Sequence, residues 1–110
     1  MQQPEMMLFD LDSLRSITEG DSELEQALLE RFQITLTKCV TDGVMREPAE
    51  AWPELLHELR GAAMAMGAVA LAQACRDAED GPPPDAEAFR REFSALAVAT
   101  LKEISSGLGR

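Results

Sequence analysis

The chain carries a single histidine, His57, inside the run Leu55-Leu-His-Glu-Leu-Arg-Gly-Ala-Ala-Met-Ala-Met-Gly67. A neutral imidazole has one protonated and one free nitrogen, so a histidine facing solvent can act as a nucleophile or a proton carrier. Placed on an α-helix at about 100° per residue, Trp52, Leu55, Leu56, Leu59, Ala62, Ala63 and Met66 all fall on the side away from His57. Arg60, Gly61 and Met64 fall beside it. The helix therefore buries one face and offers a histidine, a cation and a glycine on the other. Gly61 is the unexpected choice, because glycine inside a helix costs about 1 kcal/mol relative to alanine. At i+4 from His57 it lies over the imidazole, where a missing side chain lets a partner approach the ring.

Other chemistry is poorly served. No glycine-rich phosphate loop is present, so no ATP site is expected. A serine–histidine–acid triad would need a placed serine, and no nucleophile motif accompanies His57. One histidine among scattered carboxylates makes a poor metal site, and no bound metal or cofactor is expected. Cys39 and Cys75 both fall on apolar helical faces without a Cys-x-x-Cys pattern and read as free, buried thiols in a reducing compartment.

The position of His57 alone favours an ordinary surface histidine. Its neighbours reverse that. The string His57-x-x-Arg60-Gly61, with Gly67 six residues further on, resembles the signature of histidine-containing phosphotransfer (HPt) domains of bacterial phosphorelays. The resemblance continues through Gly67-Ala-Val-Ala-Leu71 to Glu79, and upstream from Phe9-Asp10-Leu11 through Gly20-Asp21 to Phe32. It implies that His57 is phosphorylated and that Arg60, Gly61 and Glu79 support the transfer. Met64 beside the ring reads either as a soft docking contact, on a surface shared with Gly67, or as a gap-filler. Arg60 would screen phosphoryl charge. Glu79 has two open readings: it reaches water at a helix end, or it accepts a hydrogen bond from the His57 imidazole. The resemblance also implies the partners. These are receiver domains of response regulators, which supply the aspartate and Mg²⁺, and a hybrid sensor histidine kinase. The chain itself would be a carrier and no autonomous enzyme, receiving a phosphoryl group from one receiver aspartate and passing it to another. Two alternatives stand beside this one: a helical interaction module that is never phosphorylated, and a histidine-bearing dimerisation segment of a kinase.

The elements that must position these residues follow from periodicity. The 110 residues suit one domain, and 45% of them are apolar, with alanine and leucine dominant. A formal charge of −10 argues against nucleic acid and against anionic membranes. No apolar run is long enough to span a bilayer and no signal peptide is visible, so a cytoplasmic, monomeric domain is expected.

Residues 1–8 and 106–110 are expected to be flexible. Asp10 or Asp12 caps a short first helix that ends at Gly20. Asp21 or Ser22 caps the second, whose stripe reads Leu24, Leu28, Phe32, Leu36 and Cys39, with Leu29 and Val40 on its flank and Ile34 on the opposite face. Asp42-Gly43 weakens this helix and Glu47-Pro48 breaks it. Pro48 or Pro53 opens the third helix, the one carrying His57, and Gly67 ends it. The fourth runs from about Ala68 to Asp80 with Glu79 on its apolar stripe. After Gly81-Pro-Pro-Pro84, Asp85 caps the last helix, with Phe89, Phe93, Leu96, Ala97, Thr100, Leu101 and Ile104 inward and a break at Ser105. The expected fold is all-α: an antiparallel four-helix bundle with a short additional N-terminal helix.

Overall fold

A computed structural model describes residues 7–81 and 83–109. Five α-helices follow in order: α1 (Leu11–Thr18), α2 (Ser22–Thr37), α3 (Trp52–Met66), α4 (Val69–Glu79) and α5 (Ala86–Leu108). No strand occurs among the described residues. Helices α2 to α5 form the bundle and α1 closes one end. The core combines Leu29, Phe32 and Leu36 of α2, Trp52, Leu56, Leu59, Ala63 and Met66 of α3, Leu71 and Cys75 of α4, and Phe93, Ala97 and Ile104 of α5. The fully buried Thr100 hydroxyl donates to the Leu96 carbonyl at 2.7 Å, so no polar atom is stranded there.

Aspartates start three of the helices as expected. Asp10 Oδ1 accepts from the Ser13 amide, Asp21 Oδ1 from the Glu23 and Leu24 amides, and Asp85 Oδ1 from the Ala88 amide. Each satisfies amides that the first helical turn leaves without partners.

The inward stripe of α2 is rotated from the one the periodicity suggested. Leu24 is exposed and Leu28 half-buried, whereas Glu25, Leu29, Phe32 and Leu36 point inward. The cause is a polar pair. Thr18 Oγ1 donates to Glu25 Oε2 at 2.7 Å, and Arg15 Nε lies 3.7 Å from the same oxygen. A carboxylate supplied with a donor can occupy a core position, and this one ties α1 to the start of α2.

Beyond Thr37 the chain does not simply fray. Lys38–Val44 widens into a π-helix, in which the Met45 amide bonds back to the Val40 carbonyl at 2.9 Å. The wider turn brings Cys39, Gly43 and Val44 inward. Gly43 lets the π-helix pack closely on α3: a Cβ there would stand 2.7 Å from Leu55 Cδ1, the end of a half-buried side chain that would have to turn aside. Arg90 of α5 then holds the connection. Its Nε donates to the Val44 carbonyl at 3.0 Å, an outer nitrogen donates to the Glu47 carbonyl at 3.3 Å, and the guanidinium lies 5.1 Å from the Trp52 ring centroid. Trp52 Nε1 donates to the Glu47 carbonyl as well. Pro48 precedes a single 3₁₀ turn, Ala49–Ala51, and Pro53 sits in the first turn of α3, so the two prolines act in sequence.

The C-terminal helix runs further than expected. It continues past Ser105 to Leu108, because Gly107 lets the Phe9 ring close against the last turn; a Cβ at Gly107 would lie 2.8 Å from Phe9 Cε2. The flexibility expected from residue 106 onward therefore meets a helix over 106–108. At the other end, the Met7 carbonyl accepts the Ala70 amide at 3.1 Å and the Asp10 amide donates to the Gly67 carbonyl at 2.8 Å. The rest of the expected flexible ends, residues 1–6 and Arg110, lies outside the described residues.

Candidate functional site

The site is built on the seam between α3 and α4, the two helices in most extensive contact. The α3 stripe from Trp52 to Met66 is buried, which turns the His57 side outward; the imidazole is 69% exposed. Gly67 ends α3 in the left-handed region at φ 77°, and its amide closes onto the carbonyls of the last turn. The chain reverses within two residues, so α4 runs back alongside α3 and its last turn arrives beside His57.

That return places Glu79 against the imidazole. His57 Nδ1 and Glu79 Oε1 are 2.6 Å apart, across 22 positions of sequence. Of the two readings of Glu79, the structure takes the one in which the carboxylate meets the ring. Glu79 Oε2 is buried and lies 3.1 Å from Arg60 Nε as an ion pair, with the N–H direction out of line for a hydrogen bond. Arg60 also brings an outer nitrogen to 3.3 Å from His57 Nδ1. A guanidinium has no lone pair to offer and an ionised carboxylate can only accept. The consistent assignment is that Nδ1 carries the proton and donates to Glu79, while the Arg60 nitrogen stands beside it as a close contact. The other ring nitrogen, Nε2, then holds the lone pair and has no partner among the described residues.

Arg60 is thus drawn to the Nδ1 side of the ring, toward Glu79, rather than outward past Nε2. The surrounding residues separate into two groups. Gly61 is exposed, and a Cβ built there meets nothing within 4 Å, so the space above the imidazole is open. Met64, one turn further, is exposed and flanks the seam. Gly67 lines the α3–α4 groove together with Met64 but offers it little surface. It is buried, and a Cβ there would lie 2.6 Å from the Asp10 carbonyl oxygen, so its work is to end α3 and receive the N-terminal segment.

Cys75 sits one turn before Glu79, fully buried. Burial pushes its thiol up to about 12, with Cys39 and Glu79 adding to the rise and Arg60 opposing it. Cys39 is pushed up to about 11, chiefly by burial and then by Glu58. Both remain neutral thiols and offer no second nucleophile near His57. Among the described residues no cluster of three histidine, cysteine or acidic side chains could hold a metal ion, and no helix is long and apolar enough to cross a membrane.

Sequence reasoning passed over a groove on the α4 side of this site. Ser13, Gln73 and Arg76 line it together with Arg60 and Met64. Arg76 shares the α4 stripe of Ala72 and Glu79 at helical spacing, which was the signal available in the sequence.

Comparison with curated proteins and with solved structures finds no match. The Hpt domain family model matches residues 14–104, from the buried leucine of α1 to the last core isoleucine of α5, with the His57 seam inside it. That span takes in every helix that builds the site, and with it the chain belongs to the Hpt domain family, the histidine phosphotransfer carriers of phosphorelays, which work with receiver domains and kinases.

Proposed function

We propose that this domain is a relay intermediate: His57 takes a phosphoryl group from the aspartyl phosphate of one receiver domain and gives it to the aspartate of another. The observation that carries the reading is the 2.6 Å contact between Nδ1 and Glu79 on a ring otherwise open to solvent. A proton held at Nδ1 leaves the Nε2 lone pair for in-line attack on phosphorus. In that step the N–P bond forms, the P–O bond to the aspartate breaks, and the carboxylate leaves with the electron pair. The ring becomes a phosphoimidazolium whose Nδ1 proton stays on the Glu79 hydrogen bond, so no proton must move. The return step reverses each change.

The chain's own contribution is orientation. Glu79 fixes the tautomer and ring plane, Arg60 supports the buried Glu79 oxygen, and Gly61 leaves the approach clear. Mg²⁺ and the acceptor aspartates belong to the receivers. A kinase dimerisation segment is less well supported, because the apolar α3 face that a second histidine-bearing helix would need is already buried in the core, with α4 and α2 packed against it. The test is incubation with a phosphorylated receiver followed by a search for acid-labile phosphate. Label on the parent and none on His57→Gln supports the reading; label that persists on His57→Gln removes it.

A further inference from the structure

The two sides of His57 differ in charge. On the α2 side, the groove that reaches Leu55 and Leu59 includes Asp42, Glu47, Glu54 and Glu58 against one cation, Lys38. On the α4 side, a groove of about 340 Å³ is lined by Ser13, Arg60, Met64, Ala72, Gln73 and Arg76 among others, and by no carboxylate. The chain has 20 acidic residues and a formal charge of −10, and against that background a groove lined by two arginines and, among the described residues, no acid contrasts with the acidic groove on the α2 side.

The two arginines are not equivalent. Arg60 is held by Glu79, and swinging it outward would leave the buried Oε2 without any cation. Arg76 is exposed and makes no ion pair or hydrogen bond among the described residues. A solvated guanidinium can meet an incoming carboxylate bidentately without first giving up a contact.

Building on the phosphotransfer reading, we infer that the α3–α4 groove receives a carboxylate-bearing loop of the receiver domain beside its phosphorylated aspartate, with Arg76 as the cation that recognises it. The asymmetry also orients the partner: its acidic rim lies over α4 and its more basic surface over the acidic α2 side of His57. Arg76 is a positioning residue. It acts on the encounter and its register and leaves the bond-making step to His57.

The experiment follows transfer from a phosphorylated receiver to the full chain as a function of receiver concentration, with phosphoramidate as a small donor that needs no docking. Arg76→Glu is expected to raise the half-saturating receiver concentration about tenfold and to leave the saturated rate within about twofold. Arg76→Lys should stay near the parent, and the salt dependence of transfer should be shallower in Arg76→Glu. Labelling by phosphoramidate should be equal in all three. An unchanged half-saturating concentration in Arg76→Glu overturns the inference, as does a fall in phosphoramidate labelling that matches the fall in receiver transfer. If neither donor labels His57 in the parent, the phosphotransfer reading fails and takes this inference with it.

Discussion

The two glycines that follow His57 should respond to alanine with opposite signs. Gly61 lies inside α3 with open space around its missing Cβ. Alanine there relieves the conformational freedom of the unfolded chain and should stabilise by about 0.5–1 kcal/mol. Gly67 sits at φ 77°, where an L-residue costs about 1–2 kcal/mol, and its Cβ would stand 2.6 Å from the Asp10 carbonyl oxygen. The Asp10 backbone cannot yield as a flexible side chain would, and moving it loosens the 2.8 Å bond from its amide to the Gly67 carbonyl, worth about 1 kcal/mol. The total loss is about 2–3 kcal/mol. For a chain of this length about 4 °C corresponds to 1 kcal/mol, so melting should rise by about 2–4 °C in Gly61→Ala and fall by about 10 °C in Gly67→Ala. The assay is thermal unfolding by circular dichroism, with receiver transfer measured on the same proteins. Gly61→Gln completes the set: its long side chain should keep the melting temperature at or above the parent and reduce transfer steeply. A Gly61→Ala protein that melts below the parent refutes the open position of that residue. A Gly67→Ala protein that melts with the parent refutes the account of the α3–α4 turn. Undiminished transfer in Gly61→Gln removes its role in access.

His57→Gln should keep the parental melting temperature, since the position is exposed and glutamine retains a donor for Glu79; a loss above about 1 kcal/mol in thermal unfolding would contradict this. Glu79→Ala should slow transfer without abolishing it and let the ring populate both tautomers, which nitrogen NMR reads directly; an unchanged tautomer refutes the orienting role. Arg90→Met should cost about 2 kcal/mol in thermal unfolding by removing the side-chain donor of the Val44 carbonyl and one of the two on the Glu47 carbonyl, which keeps Trp52 Nε1, and Arg90→Lys should not restore it, because one ammonium cannot replace the fork. The buried thiols make stability pH-dependent in alkali. Their folded values, about 11 for Cys39 and about 12 for Cys75, lie above the ordinary 9.0, so the unfolded chain loses these protons first. Their contribution is complete below pH 9 and is lost as pH rises through 11 to 12. Replacing both cysteines by alanine should flatten the decline of melting temperature between pH 9 and 11, and an unaltered decline would refute the assignment.

The seam was legible because α3 has a strongly amphipathic stretch. Seven apolar positions from Trp52 to Met66 set the phase and the lone histidine fell opposite, while the apolar α4 stripe showed only that the Glu79 carboxylate needs a partner or water; the fold brings it to His57 and Arg60. What escaped notice came from contacts that no single helix contains. Leu24 and Glu25 exchange places because Thr18, on another helix, supplies a hydroxyl. The π-helix was hidden because its wider turn changes the period at Lys38, and a pattern read at 3.6 residues per turn cannot report that. The last turn of α5 looked like a ragged end from Ser105-Ser-Gly because its partner, Phe9, lies at the opposite end of the chain. Arg76 carried a helical-spacing signal, but an exposed arginine acquires meaning only once α3 and α4 are seen to enclose a groove free of acids.

The exposure of His57 has a kinetic side. Among the described residues nothing closes over the ring, so the opening that admits a partner also admits water. An enclosed active site expels water and so suppresses hydrolysis of its intermediates; an open carrier lacks that protection. A phosphoryl group placed here is in a race from the moment it arrives, between the next receiver and the solvent. The memory of the domain is therefore set by the concentration of its acceptors, and a signal that outlasts a single charge must be sustained by refilling.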